Sequence, residues 1–123
     1  VLGVIDTLEH LQRGGRIGAA RAMVGSMLSI KPVVQVTGGV VVEESKQRTR
    51  SRSLEYVATK LAGLGPIEAL AVCDGAAPDL ESFLGLLEGL DVPDGIVRAE
   101  LGPVVGAHTG PGAIGVCYTL TDR

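Results

Sequence analysis

Apolar runs of two kinds alternate along the chain, separated by glycine and proline. Val1-Leu2-Gly3-Val4-Ile5 reads as a buried strand. Asp6 and Glu9 then stand at capping-box spacing before a short helix that places Leu8 and Leu11 on one face and stops at Gly14 and Gly15. Over residues 17–29, Ala20, Met23, Val24, Met27 and Leu28 fall at i, i+3, i+4, i+7 and i+8, which predicts an amphipathic helix. Its other side is Gly18, Ala22, Gly25, Ser26 and Ser29, a face small enough for a second backbone or a long thin ligand to lie against.

Lys31-Pro32 closes that helix, and residues 33–36 and 40–44 flank Thr37-Gly38-Gly39 as a β-hairpin. Leu54, Val57, Ala58, Leu61 and Ala62 repeat the helical stripe up to Gly63 and Gly65-Pro66. Residues 67–73 are almost continuously apolar, the pattern of a strand buried on both faces. Pro78 suits a helix first turn, with Leu80, Phe83, Leu84 and Leu87 on one side, and residues 96–101 and 113–120 read as two more strands. The expected fold class is therefore α/β (mixed α+β), with one mixed, largely antiparallel sheet of about six strands and some four helices packed on it.

A chain of 123 residues suffices for one core, so residues 1–123 are read as a single domain without a disulfide or metal staple. The chain enters its first strand with no polar lead-in and no Met, and is expected to be a fragment of a longer protein. Glycine is abundant, at 18 residues, and the aromatics are only Tyr56, Phe83 and Tyr118. Nucleic acid is thereby disfavoured as a partner, since single-strand binders stack bases on aromatic platforms. No apolar run reaches the ~18 residues of a membrane span, and the start lacks a signal-peptide pattern, so a soluble, cytoplasmic protein is expected. Cys73 and Cys117 each sit in an apolar run with no metal-ligand spacing, and are read as buried free thiols, with no metal and no cofactor.

Charge is unevenly placed. Residues 1–62 carry nine Lys/Arg against five acids, whereas residues 63–123 carry two against nine. The first half therefore suits an anionic partner, the alternative being charges that simply face water.

Three segments could carry chemistry. In Gly102-Pro103-Val104-Val105-Gly106-Ala107-His108-Thr109-Gly110-Pro111-Gly112, the donors His108 and Thr109 stand in what reads as a rigid Gly/Pro loop, fit to bind an anionic head group. Arg16 follows Gly14-Gly15 at the start of the expected second helix, where a guanidinium fork and a helix dipole would together recruit a carboxylate or phosphate. Arg48, Arg50 and Arg52 open the third helix with three cations where the macrodipole favours anions, a broken rule that suggests a partner contact. For each, a satisfied structural residue or a solvated face is the competing reading. No G-x-S-x-G elbow, no Ser beside His, and no phosphate-binding glycine loop is present.

Thr7-Leu8-Glu9-His10-Leu11 before Gly14-Gly15-Arg16-Ile17-Gly18, then Ile30-Lys31-Pro32, Arg48-Thr49-Arg50, and residues 102–112 followed by Gly115-Val116, together resemble the DegV family over essentially the whole chain. The resemblance covers only that family's C-terminal domain. It implies a two-domain bacterial fatty-acid-binding protein, some members of which present the bound acid to a partner kinase. It also implies that the carboxylate of a long-chain fatty acid meets His108, Thr109 and Arg16, with hydroxyl donors from the missing N-terminal domain. The acyl chain is expected to line the small helix face of Gly18, Ala22, Met23, Gly25, Ser26 and Met27. On this reading the chain is a carrier and not an enzyme. The competing readings are an acyl- or phosphoryl-transfer domain with His108 as general base, and a purely structural or interaction domain docking through Arg48 to Arg52. Without its other domain, such a fragment is expected to self-associate.

Overall fold

The computed structural model describes residues 1–18, 20 and 30–121. The apolar runs form six strands: β1 (Leu2–Val4), β2 (Lys31–Thr37), β3 (Val40–Gln47), β4 (Ile67–Asp74), β5 (Ile96–Glu100) and β6 (Ile114–Leu120). They make one sheet in the order β3-β2-β1-β6-β4-β5. Every neighbouring pair is antiparallel except β4 with β5. That pair is parallel because a helix, α3 (Leu80–Leu86), carries the chain back across the sheet between them. The β2–β3 turn needs two left-handed residues, which Gly38 (φ 58°) and Gly39 (φ 79°) supply.

Three more helices complete the described chain: α1 (Glu9–Arg13), α2 (Arg50–Ala62) and α4 (Pro103–Thr109). The expected capping box at α1 does not form. Leu8 occupies the cap without a side-chain bond, Thr7 Oγ1 accepts from the Glu9 amide at 3.2 Å, and Asp6 turns elsewhere. Helix α2 is capped by Thr49, whose hydroxyl accepts from the Arg52 amide at 3.2 Å.

The largest departure from expectation is α4. Residues 103–109 are helical and not a Gly/Pro loop, because Pro103 stands at the first helical position, where its fixed φ suits the turn and its missing N–H costs nothing. The helix expected over residues 17–29 lies, apart from Ile17, Gly18 and Ala20, outside the described residues, and with it Ala22, Met23, Gly25, Ser26 and Met27.

One face of the sheet is closed. Leu2, Val4, Val33, Leu70, Val72, Ile114 and Val116 meet Leu54, Val57 and Leu61 of α2 and Phe83 and Leu87 at α3. A smaller cluster on the opposite face joins Ile5, Leu8, Leu11, Ile17, Ala20, Val34 and Ala113. Beyond that cluster the opposite face is open among the described residues. In β4, Leu70 and Val72 are buried, yet Ala69 is exposed and Ala71 and Cys73 are only half-buried, so this strand is not covered on both faces. The two cysteines are free, as expected, but not buried: Cys117 is exposed and Cys73 intermediate.

At the edge of the closed layer, Glu44 of β3 accepts from Lys60 Nζ at 2.6 Å and Tyr56 Oη at 2.5 Å, both on α2. Its side chain is only 9% exposed. Burial pushes the Glu44 carboxyl up, but the two hydrogen bonds and the Lys60 charge together outweigh it and hold the carboxyl below its ordinary 4.5. The hydrogen bond to Glu44 correspondingly raises Lys60 and Tyr56 above their ordinary values.

Candidate functional site

Helices α1 and α4 interlock through two histidine–glycine contacts. His108, in the last turn of α4, lays its ring on Gly14, the C-cap of α1; a methyl group at Gly14 would stand 2.0 Å from His108 Nδ1. In return, His10 of α1 lies over Gly110, the C-cap of α4, where a methyl group would meet its Cδ2 at 2.3 Å. Only glycine permits these approaches, and Gly110 also has φ 81°. His10 is thus half-buried in this interlock.

His108 Nδ1 is buried and has no hydrogen-bond partner among the described residues. A buried polar atom without a partner is costly, and this one is packed against Gly14. Arg16 comes to the same glycine: its amide bonds the Leu11 carbonyl at 2.8 Å, turning the chain, and its Nη1 donates to the Gly14 carbonyl at 3.0 Å. Arg16 is exposed, and a guanidinium carries five N–H donors in all. The structure therefore brings His108 and Arg16 together around Gly14. Thr109 is adjacent, but its hydroxyl donates back to the Val105 carbonyl at 3.2 Å inside α4.

The remaining expected residues scatter. Arg48 and Arg52 are exposed at the start of α2. Arg50 is not a free docking cation: it donates Nε and Nη2 to Asp79 at 2.9 and 3.1 Å, Nη1 to Asp6 at 2.9 Å, and Nη2 again to the Gly112 carbonyl. Gly18 lies close against β3, where a methyl group would stand 2.5 Å from the Val41 carbonyl oxygen.

The open part of the sheet holds a groove of about 420 Å³ lined by Val1, Ala69, Ala71, Val97, Cys117 and Thr119 among others. That volume lies within the ~300–1,000 Å³ range of small-molecule sites. Along β4 and β6 the register runs from Asp74 opposite Ile114, beside the turn that follows α4, to Ala69 opposite Thr119 at the groove. Five strand residues cover about 16 Å. Cys73 lies between the two ends, with its thiol pushed up by burial and by the neighbouring Cys117 and Asp74, so it stays neutral and apolar. Among the described residues no group of three or more His, Cys, Asp or Glu could hold a metal, and no helix is long and apolar enough to cross a membrane.

A mixed α/β sheet domain, closed on one face and open on the other, with a glycine-framed imidazole between two short helices, is the class these features define. The model of the DegV family, described as an uncharacterised protein family, matches residues 1–121, and the chain belongs to that family. A DegV domain-containing protein of Streptomyces coelicolor is 44% identical over 117 residues, covering 91% of this chain and 41% of the relative. Among solved structures, a fatty acid binding DegV family protein from Streptococcus agalactiae superposes with a TM-score of 0.83 at 30% identity, covering 98% of this chain and 44% of that one. A fatty-acid-binding DegV family protein from Thermus thermophilus gives 0.79 at 32% identity, over 94% of this chain and 43% of that one. The chain spans about two fifths of the length of these relatives.

Proposed function

We propose that this chain is the C-terminal, ligand-holding domain of a cytoplasmic bacterial fatty-acid carrier, which presents the bound carboxylate to a partner kinase and is not itself an enzyme. The head group meets His108 and Arg16 with Thr109 beside them. Hydroxyl donors from an N-terminal domain complete the clamp. The acyl chain runs from there along the small residues of the open sheet face, together with Ala22, Met23, Gly25, Ser26 and Met27, the small and flexible residues singled out by their spacing in the sequence. Arg48 and Arg52 are the cations left for the partner.

The observation that carries this reading is the gathering of His108 and Arg16 around Gly14 on the same domain as an open groove that includes Ala69, Ala71, Val97 and Cys117 in its lining. The fatty-acid binding of two solved relatives above 25% identity supports it. The physics agrees in scale. A sixteen-carbon acid has about fourteen methylenes, worth roughly 0.8 kcal/mol each on burial, so about 11 kcal/mol gross before the cost of ordering. Affinity comes from the chain and orientation from the polar clamp.

The test is to purify the full-length protein and identify what co-purifies by lipid extraction and mass spectrometry. A long-chain fatty acid at one per protein is expected. Absence of lipid, with no palmitate binding on titration, would overturn the reading, and partner-independent turnover of an acyl phosphate would establish an enzyme instead. The isolated domain should bind palmitate weakly and self-associate, since Val1 and Val97 are 47% and 60% exposed on the open face. Tight retention of fatty acid by the isolated monomer would contradict that expectation.

A further inference from the structure

We propose that Arg50 is a positioning residue for the head-group site, holding α1 and α4 at the separation that lets His108 and Arg16 act on one carboxylate; this rests on the reading above of those two residues. Arg50 is out of place by local rules. It is the first helical residue of α2, thirteen residues long, where a cation opposes the macrodipole. The structure supplies the compensation. The side chain is only 18% exposed, and its guanidinium binds three acceptors from three segments distant in sequence.

Each acceptor belongs to a different part of the site's frame. Asp79, taken by Nε and Nη2, stands at the N-cap of α3, whose own cap it does not serve. Asp6, taken by Nη1, lies in the link between β1 and α1, the helix that leads into Gly14 and Arg16. The Gly112 carbonyl, taken by Nη2, ends the turn behind His108. Gly112 is held from its other sides as well. Its amide donates to the Gly75 carbonyl at 2.8 Å, and a methyl group on it would meet Asp6 Oδ2 at 3.2 Å. Asp6 and Gly112 are therefore locked to each other and to α2 through one planar fork. A lysine, with one ammonium, cannot reach the same three acceptors in fixed directions. Because the imidazole rests on α1 through Gly14, any slip between the two segments moves His108 against Arg16.

The experiment uses the full-length protein and measures, by calorimetry, the affinity for palmitate and for hexadecanol, which share a chain but not a carboxylate. The ring resonances of His108 are read by NMR on the same samples. Arg50→Lys should weaken palmitate binding about tenfold, the scale of losing a partner that orients a ligating group, and leave hexadecanol unchanged. It should also move the His108 ring resonances in the ligand-free protein. Asp79→Asn should act in the same direction and less, and carries the test should the lysine variant fail to fold. Palmitate affinity within about twofold of wild type would overturn the proposal, as would equal losses of acid and alcohol or unmoved His108 resonances. His108→Ala separates the two claims. If it spares palmitate binding, the head-group reading fails. If it weakens palmitate while both frame variants do not, only the role of Arg50 fails.

Discussion

The two faces of the sheet are made by the same strands and are built oppositely. On the closed face, alternate positions carry Leu2, Leu70, Val72, Ile114 and Val116, which are at most 2% exposed against α2 and α3. On the open face, the intervening positions are Gly3, Ala69, Ala71, Cys73, Gly115 and Cys117. Both sets are apolar or nearly so; they differ in size. Large side chains on one face bring dispersion contacts and area burial, and the stability of the domain is concentrated there. Small ones on the other leave room over the strands, and a groove of about 420 Å³ remains. A sheet face thinned in this way contributes little to its own fold and is suited to receiving a chain of methylenes.

The comparison can be broken at graded points. Phe83 is fully buried in the closed layer, so Phe83→Ala should cost about 3–5 kcal/mol by urea denaturation, the largest effect expected in the molecule. Next comes Glu44→Gln at the edge of that layer, at about 1–3 kcal/mol near neutral pH, since it weakens the bonds from Lys60 and Tyr56. The sign of its pH dependence follows from the lowered carboxyl. The contribution of Glu44 is present above its ordinary 4.5 and is lost as pH falls through its lower folded value, so the variant should show a shallower acid limb than wild type.

Gly14→Ala has no backbone strain to add, because Gly14 has φ −80°, but its methyl would strike His108. About a tenfold loss of palmitate affinity is expected, with a smaller effect on the alcohol, measured in the full-length protein. The smallest change in stability belongs to the open face. Ala69→Phe should alter unfolding by no more than about 0.5 kcal/mol while obstructing the groove, so sixteen-carbon acids lose affinity and shorter ones keep more of theirs. A large loss of stability at Ala69, or none at Phe83, would dissolve the distinction between the faces.

The strands were legible because apolar runs bounded by glycine and proline carry their own signal, and the Gly38-Gly39 turn has few alternatives. The open face was not. Residues 67–73 are apolar apart from Glu68, and the alternation of Leu70 and Val72 with Ala69, Ala71 and Cys73 is one of volume, which a polarity pattern does not register. Helix α4 was hidden by its glycines and prolines, although Pro103 followed by seven residues without another proline was the available cue. His10 gave no local sign, since its partner Gly110 is a hundred residues away in sequence. Arg50 did give one: three cations at a helix start ask for acids, and two of those, Asp6 and Asp79, lie 44 and 29 residues off, beyond the reach of any local pattern.

The central claim is that His108 serves the carboxylate while the open face serves the chain. It is tested most directly by titrating full-length wild type and His108→Ala with palmitate and with hexadecanol. The account predicts that the variant loses affinity for the acid by about tenfold or more and keeps its affinity for the alcohol. Equal losses for the two ligands, or none for the acid, would contradict it.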